Sequence, residues 1–125
     1  MSGVTYDTGA LIALERGSAR MRAQRVVALR ERVRIVVPTA VVGEWWRGRS
    51  DVREAILESV VLEHLTPELA RRAGEALARV RDATLVDAIV MASAASRGDV
   101  VYTSDPRDLT RLHEHFRAVR RIVAI

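Results

Sequence analysis

The sequence predicts an α/β domain built on a parallel sheet. Short apolar runs of strand type alternate with stretches of helical periodicity. The run at 33–37 is largely β-branched and continuous, as in a strand buried on both faces. Helix start and stop signals fall between the runs. The 125 residues suit one domain spanning 1–125.

The elements follow in chain order. Val4–Tyr6 is a first short strand, and Asp7 stands where it caps a helix over 8–16. Gly17 and Ser18 interrupt, and helical spacing of Met21, Val26, Val27 and Leu29 resumes over 19–32. The strand at 33–37 ends at Pro38, and a helix carries Val42, Trp45 and Trp46. Gly48 to Ser50 marks a break before a helix at 51–58. A third strand covers 60–65. Thr66, Pro67 and Glu68 form a helix start (a cap, a first-turn proline, an acid), and that helix runs to about Arg81. A further helix spans 84–97 and stops at Gly98. A strand at 100–103, a short helix at 106–115 and a last strand at 119–125 complete the chain.

Composition narrows the chemistry. There is no Cys, which removes disulfides, zinc–thiolate sites and thiol nucleophiles. The absence of Cys and of a secretory segment fits a cytoplasmic location, and no apolar run is long enough to span a membrane. The net charge is +4, and every basic side chain is Arg, which binds phosphate in a planar, bidentate manner. Such a balance favours polyanionic partners, although genomic composition alone explains Arg-for-Lys usage equally well. Few aromatics are present, so RNA binding would rest on charge rather than base stacking.

Four acids call for an explanation. Asp87 lies among Leu85, Val86, Ala88, Ile89, Val90, Met91 and Ala92, which surround a helix on nearly every side. A carboxylate buried there is expensive unless paired. Asp7 and Asp105 follow separate strands, and Glu44 lies in the helix after another. Each has a plain structural alternative. Asp7 caps a helix; Asp87 pairs with Arg or favours the helix dipole; Asp105 caps ahead of Pro106; Glu44 pairs with Arg47. Together they fit another account, because ligands of open α/β sheets bind at the carboxyl ends of the strands. Four carboxylates converging there would repel one another and raise their pKa values. A hard divalent cation, Mg²⁺ or Mn²⁺, relieves this with oxygen ligands alone. Neutralising the four acids turns the net +4 into +8 on the remaining surface.

The motifs resemble those of the PIN-domain family. Tyr6-Asp7-Thr8-Gly9-Ala10-Leu11 is similar to its opening motif, and Pro38 through Glu44-Trp45 to its second. Leu85 through Ala92 resembles the third motif, and Val101-Tyr102-Thr103-Ser104-Asp105-Pro106-Arg107-Asp108-Leu109 the fourth. The short length resembles the VapC toxin branch. The resemblance implies a three-layer α/β/α fold with a five-stranded parallel sheet of order 3-2-1-4-5. It also implies endonucleolytic cleavage of RNA (tRNA or ribosomal RNA), a VapB-like antitoxin and a homodimer. By the same resemblance Asp7, Glu44, Asp87 and Asp105 are catalytic and hold Mg²⁺, with Thr103 positioning a water or a ligand. Asp108 reads better as part of a capping box. Arg47, Arg49 and Arg107 flank the motifs, as phosphate contacts or as solvated surface. His64, His113 and His115 form no catalytic pattern, and surface positions are expected for the last two. Gly9 departs from the family's usual Ser or Asn, and Trp45–Trp46 is bulkier than usual; one Trp is expected in the core and the other at a partner surface. The alternative to an enzyme is a PIN-like module that binds RNA or protein without cutting. A receiver domain fits poorly without a Lys, and a haloacid-type phosphatase would want Asp where Gly9 stands.

Overall fold

A computed structural model describes residues 3–125. Five strands form one parallel sheet: β1 (Val4–Tyr6), β2 (Ile35–Pro38), β3 (Val61–Glu63), β4 (Val100–Thr103) and β5 (Arg121–Ala124), in the order β3-β2-β1-β4-β5. Among the described residues, seven helices connect and cover them: α1 (Thr8–Glu15), α2 (Ala19–Arg30), α3 (Thr39–Trp45), α4 (Asp51–Glu58), α5 (Pro67–Arg79), α6 (Leu85–Arg97) and α7 (Pro106–His113). The chain leaves β1 toward β2 and β3, then returns to add β4 and β5 on the other side. The order therefore reverses between β1 and β4, and in open sheets of this kind ligands bind beyond the carboxyl ends of the strands at such a point.

Alternation along β1 assigns the two faces. Tyr6 points toward α2, where its hydroxyl meets Gln24 and its ring stands edge-on to Tyr102. Thr5 points the other way, toward Arg97 and Ser93 of α6 and its neighbour Asp99. Residues 88–94 of α6 are all buried, and α5 packs along that helix. The central layer is closed by fully buried Leu11, Met21, Val37, Met91, Val101 and Leu112.

Local signals set the boundaries. Ser18, Ser50, Thr66 and Thr84 each accept a backbone N–H at the start of a helix. Gly98 ends α6 at φ 71°, a left-handed conformation glycine adopts without strain. Several ends differ from the sequence pattern. Helix α2 stops at Arg30 because Arg32 turns to φ 58°. Helix α5 stops at Arg79, and Asp82 at φ 61° turns the chain into α6. Strand β3 keeps only three residues; it is an edge strand with Val61 and Leu62 exposed, so no second neighbour extends its pairing. Among the described residues, no helix is long and apolar enough to cross a membrane.

Candidate active site

The site begins where β1 ends. Asp7 is extended, and one of its carboxylate oxygens accepts the Ala10 N–H at 2.9 Å, capping α1. Its own N–H donates to the Tyr102 carbonyl at 3.3 Å and ties this turn to β4. The turn at the end of β4 carries Asp105. A Cβ at Gly9 would lie 1.9 Å from Ser104 Oγ and 2.6 Å from Ser104 Cβ. The family's usual Ser or Asn is thus excluded here by steric contact, and glycine lets α1 lie against the turn holding Asp105.

Thr103 links the two acids. It is fully buried, its hydroxyl hydrogen-bonds to Asp7, and its oxygen accepts the Asp105 N–H at 2.9 Å. Although Asp105 precedes Pro106 at the head of α7, its side chain makes no capping bond. The capping explanation is therefore wrong for Asp105, whose exposed carboxylate stays free. Asp87 stands in the first turn of α6, where the Thr84 hydroxyl accepts its N–H at 3.1 Å. It is half-buried rather than enclosed, because the first turn of α6 reaches the sheet edge while later turns sink into the core. Glu44, on α3, accepts the Thr8 hydroxyl at 2.6 Å. The expected Glu44–Arg47 pair does not form; Arg47 donates to the Trp46 carbonyl at 2.7 Å. Asp108 accepts from Arg111.

Burial and neighbouring charge act on two of these side chains. Burial raises the Asp7 pKa to about 6; hydrogen bonds from Thr103, Ala10 and Gly9 hold it down in part, and the charge of Asp87 pushes it up. Burial also raises Asp87, with repulsion from Asp108, Glu44 and Asp105 added. None of Asp7, Glu44, Asp87 and Asp105 has an ion-pair partner among the described residues. The Arg pairing offered as an alternative for Asp87 is thereby ruled out among those residues. Also among them, no three His, Cys, Asp or Glu side chains group closely enough to hold a metal ion by protein atoms alone.

The raised Asp7 pKa has a measurable consequence. A carboxyl whose folded pKa exceeds its unfolded value favours folding when protonated, so its contribution falls as pH rises from about 4 through about 6. Replacing Asp7 by Asn removes that loss and keeps a capping side chain. In chelator, the stability of Asp7→Asn minus wild type should grow from near zero at pH 4 to about 3 kcal/mol at pH 7.5. Urea unfolding at the two pH values measures it; a constant difference would show that burial does not strain Asp7.

The PIN-domain profile matches residues 4–114, which takes in all four acids. The chain belongs to the PIN-domain family. Its fold is similar to that of Mycobacterium tuberculosis VapC20, described as a sarcin–ricin loop cleaving toxin. The two are 26% identical with a TM-score of 0.67, over 86% of this chain and 94% of that one. It is also similar in fold to PAE2754 from Pyrobaculum aerophilum, at 23% identity and a TM-score of 0.57, over 96% of this chain and 90% of that one. No curated protein matches the chain.

Several features of this PIN domain are not evident in its sequence. Thr8 holds Glu44 from a different helix. A cleft of about 280 Å³ opens beside Glu44, lined by Arg16, Arg47 and Arg53 as well as Glu15. Trp45 is the core tryptophan, with its indole N–H donating to Glu15 at 2.9 Å. Trp46 is half-buried against it, with ring centroids 6.1 Å apart, rather than fully exposed. His113 is not a simple surface residue: a ring nitrogen lies 2.9 Å from the Val119 carbonyl.

Proposed function

We propose that this PIN domain is a metal-dependent endoribonuclease, the toxin of a VapBC-like toxin–antitoxin pair. One observation carries the reading: Asp87 feels the charges of Glu44 and Asp105 and pushes on Asp7, and none of these four acids is paired with a base among the described residues. Asp7 and Asp87, kept unpaired although burial raises their pKa values, fit a divalent cation. Mg²⁺, or Mn²⁺ in its place, binds through one or two carboxylates and retains several waters, so it does not need three protein ligands. Asp7 and Asp87 would hold it, with Asp105 and Glu44 beside them. Such a cation would polarise a phosphodiester and make water a better nucleophile.

The protein's own groups do the rest. Thr103 orients Asp7 through its hydroxyl and fixes the Asp105 backbone. Thr8 holds Glu44 toward the site. Arg16 and Arg47, in the cleft beside Glu44, supply charge for a substrate phosphate. The chain has no Cys, and its three His lie outside the acid motifs, so water is the attacking group. The likeness to VapC20 supports RNA of the translation machinery, ribosomal RNA or tRNA, as substrate. Exposed Val26, Val27 and Leu29 on α2 support a protein partner, taken here as a VapB-like antitoxin. A homodimer and a cytoplasmic location complete the proposal.

Metal removal tests it. The protein should cut total RNA with Mg²⁺ or Mn²⁺, and cutting should stop in excess chelator and return when metal is restored. Cleavage that survives the chelator would refute a metal-dependent reaction. Firm RNA binding without cutting under any metal would favour the non-catalytic module.

A further inference from the structure

Away from the carboxylates, an arginine-rich cleft of about 540 Å³ lies between the end of α5 and the second half of α7. Arg79 closes α5, Arg81 follows in the turn to α6, Arg111 lies on α7 and Arg117 just beyond it. Two acids, Asp82 and Glu114, share the lining with these four guanidinium groups. A second opening of about 680 Å³ shares Arg111, Glu114 and Arg117, so the depression continues along α7. Arg79, Arg81 and Arg117 are exposed and have no ion-pair partner among the described residues. The four guanidinium groups outnumber the two acids of the lining, and a polyanion balances the surplus positive charge.

The groove is joined to the acid site. Arg111 donates to Asp108 and lies 4.0 Å from Asp82, and Asp108 is among the charges acting on Asp87. Helix α7 spans both, with Asp105 at its head and Arg111 in its last turn. Six residues of helix rise about 9 Å. A nucleic-acid strand rising ~3.4 Å per nucleotide covers that in two or three nucleotides. The lining is polar, with Val80 its one aliphatic side chain, which suits phosphates better than an apolar peptide anchor.

We propose that this groove, through Arg79, Arg81, Arg111 and Arg117, holds backbone phosphates of the RNA two or three nucleotides from the bond that is cut. The assignment rests on the ribonuclease reading and gives it a substrate path. Because Arg contacts to phosphate release counterions, the groove sets the salt dependence of binding and little of its base preference.

The test measures binding in chelator, so that no cleavage occurs. Fluorescence anisotropy of a fluorescein-labelled single-stranded RNA of mixed sequence is followed from low to high salt. Arg81→Ala/Arg117→Ala should bind about tenfold more weakly at low salt, with a salt slope shallower by roughly 1.4 for two lost phosphate contacts. Arg81→Lys/Arg117→Lys keeps the charges and should restore the slope. Arg30→Ala/Arg34→Ala makes the same charge change at the end of α2 and just before β2, outside the groove lining, and should bind as wild type does. All these positions are exposed, so thermal midpoints should stay close to wild type. Wild-type affinity and slope in Arg81→Ala/Arg117→Ala overturn the groove, and a wild type that still cuts RNA with metal leaves the ribonuclease reading standing. An equal loss in Arg30→Ala/Arg34→Ala overturns it too, because net charge alone would then explain the effect. A wild type that neither binds nor cuts RNA removes both proposals.

Discussion

Asp7→Asn should lower RNA cleavage by at least about 100-fold without unfolding the protein. Asp7 serves two purposes with one carboxylate. One oxygen accepts the Ala10 N–H and starts α1. The group as a whole shares the site with Asp87 and Thr103. Asparagine is as good an N-cap as aspartate, so the first purpose survives the change. The second does not, because a neutral amide supplies no charge to a cation. The same substitution should raise metal-free stability near neutral pH, since it removes a carboxylate that burial disfavours. Activity and stability therefore move in opposite directions, which separates a functional acid from a structural one. Cleavage of total RNA with Mg²⁺ and urea unfolding of the same preparation measure the two. Retained cleavage would sink the role given to Asp7; joint loss of activity and fold would show it to be structural.

The parts legible in the sequence are those where a residue conflicts with its neighbours. Asp87 stands out because Val86, Ala88, Ile89 and Val90 surround it, and a carboxylate in that setting needs a reason. Gly98 and the Thr66–Pro67 pair mark helix ends through backbone constraints that act locally, and the structure places the ends there. Contacts between distant segments leave no such trace. Nothing near Gly9 announces that Ser104 packs against it, and nothing near Thr8 announces Glu44, 36 residues away. Asp105 shows the opposite failure. Its sequence setting before Pro106 is that of a cap, yet the observed backbone, φ −130° and ψ 81°, leaves its carboxylate unbonded to the helix. The strand order was available only through family resemblance, because alternation of strands and helices permits several orders.

The same blindness to distance hides the interaction expected to matter most for stability. Asp99 is 1% exposed, and it accepts from the Gly3 N–H at 3.0 Å, the Thr5 hydroxyl at 2.9 Å and Arg97 Nε at 2.9 Å. Arg97 also pairs with Glu63 at the end of β3 and donates to Thr5 and Ser93. One guanidinium thus pairs with two carboxylates and joins α6, β1 and β3. Arg97→Ala leaves Asp99 buried without a countercharge, and such a loss costs about 3–5 kcal/mol. The thermal midpoint should fall by roughly 10 °C or more. Arg97→Met/Asp99→Asn removes both charges and should recover part of that loss, because the penalty comes from the stranded carboxylate rather than from a missing attraction. Arg97 lies ten residues along α6 from Asp87, about 15 Å of rise away. Cleavage per folded molecule should therefore survive Arg97→Ala while stability collapses, the reverse of Asp7→Asn. A midpoint within a degree or two of wild type would mean that water, not Arg97, keeps Asp99 charged.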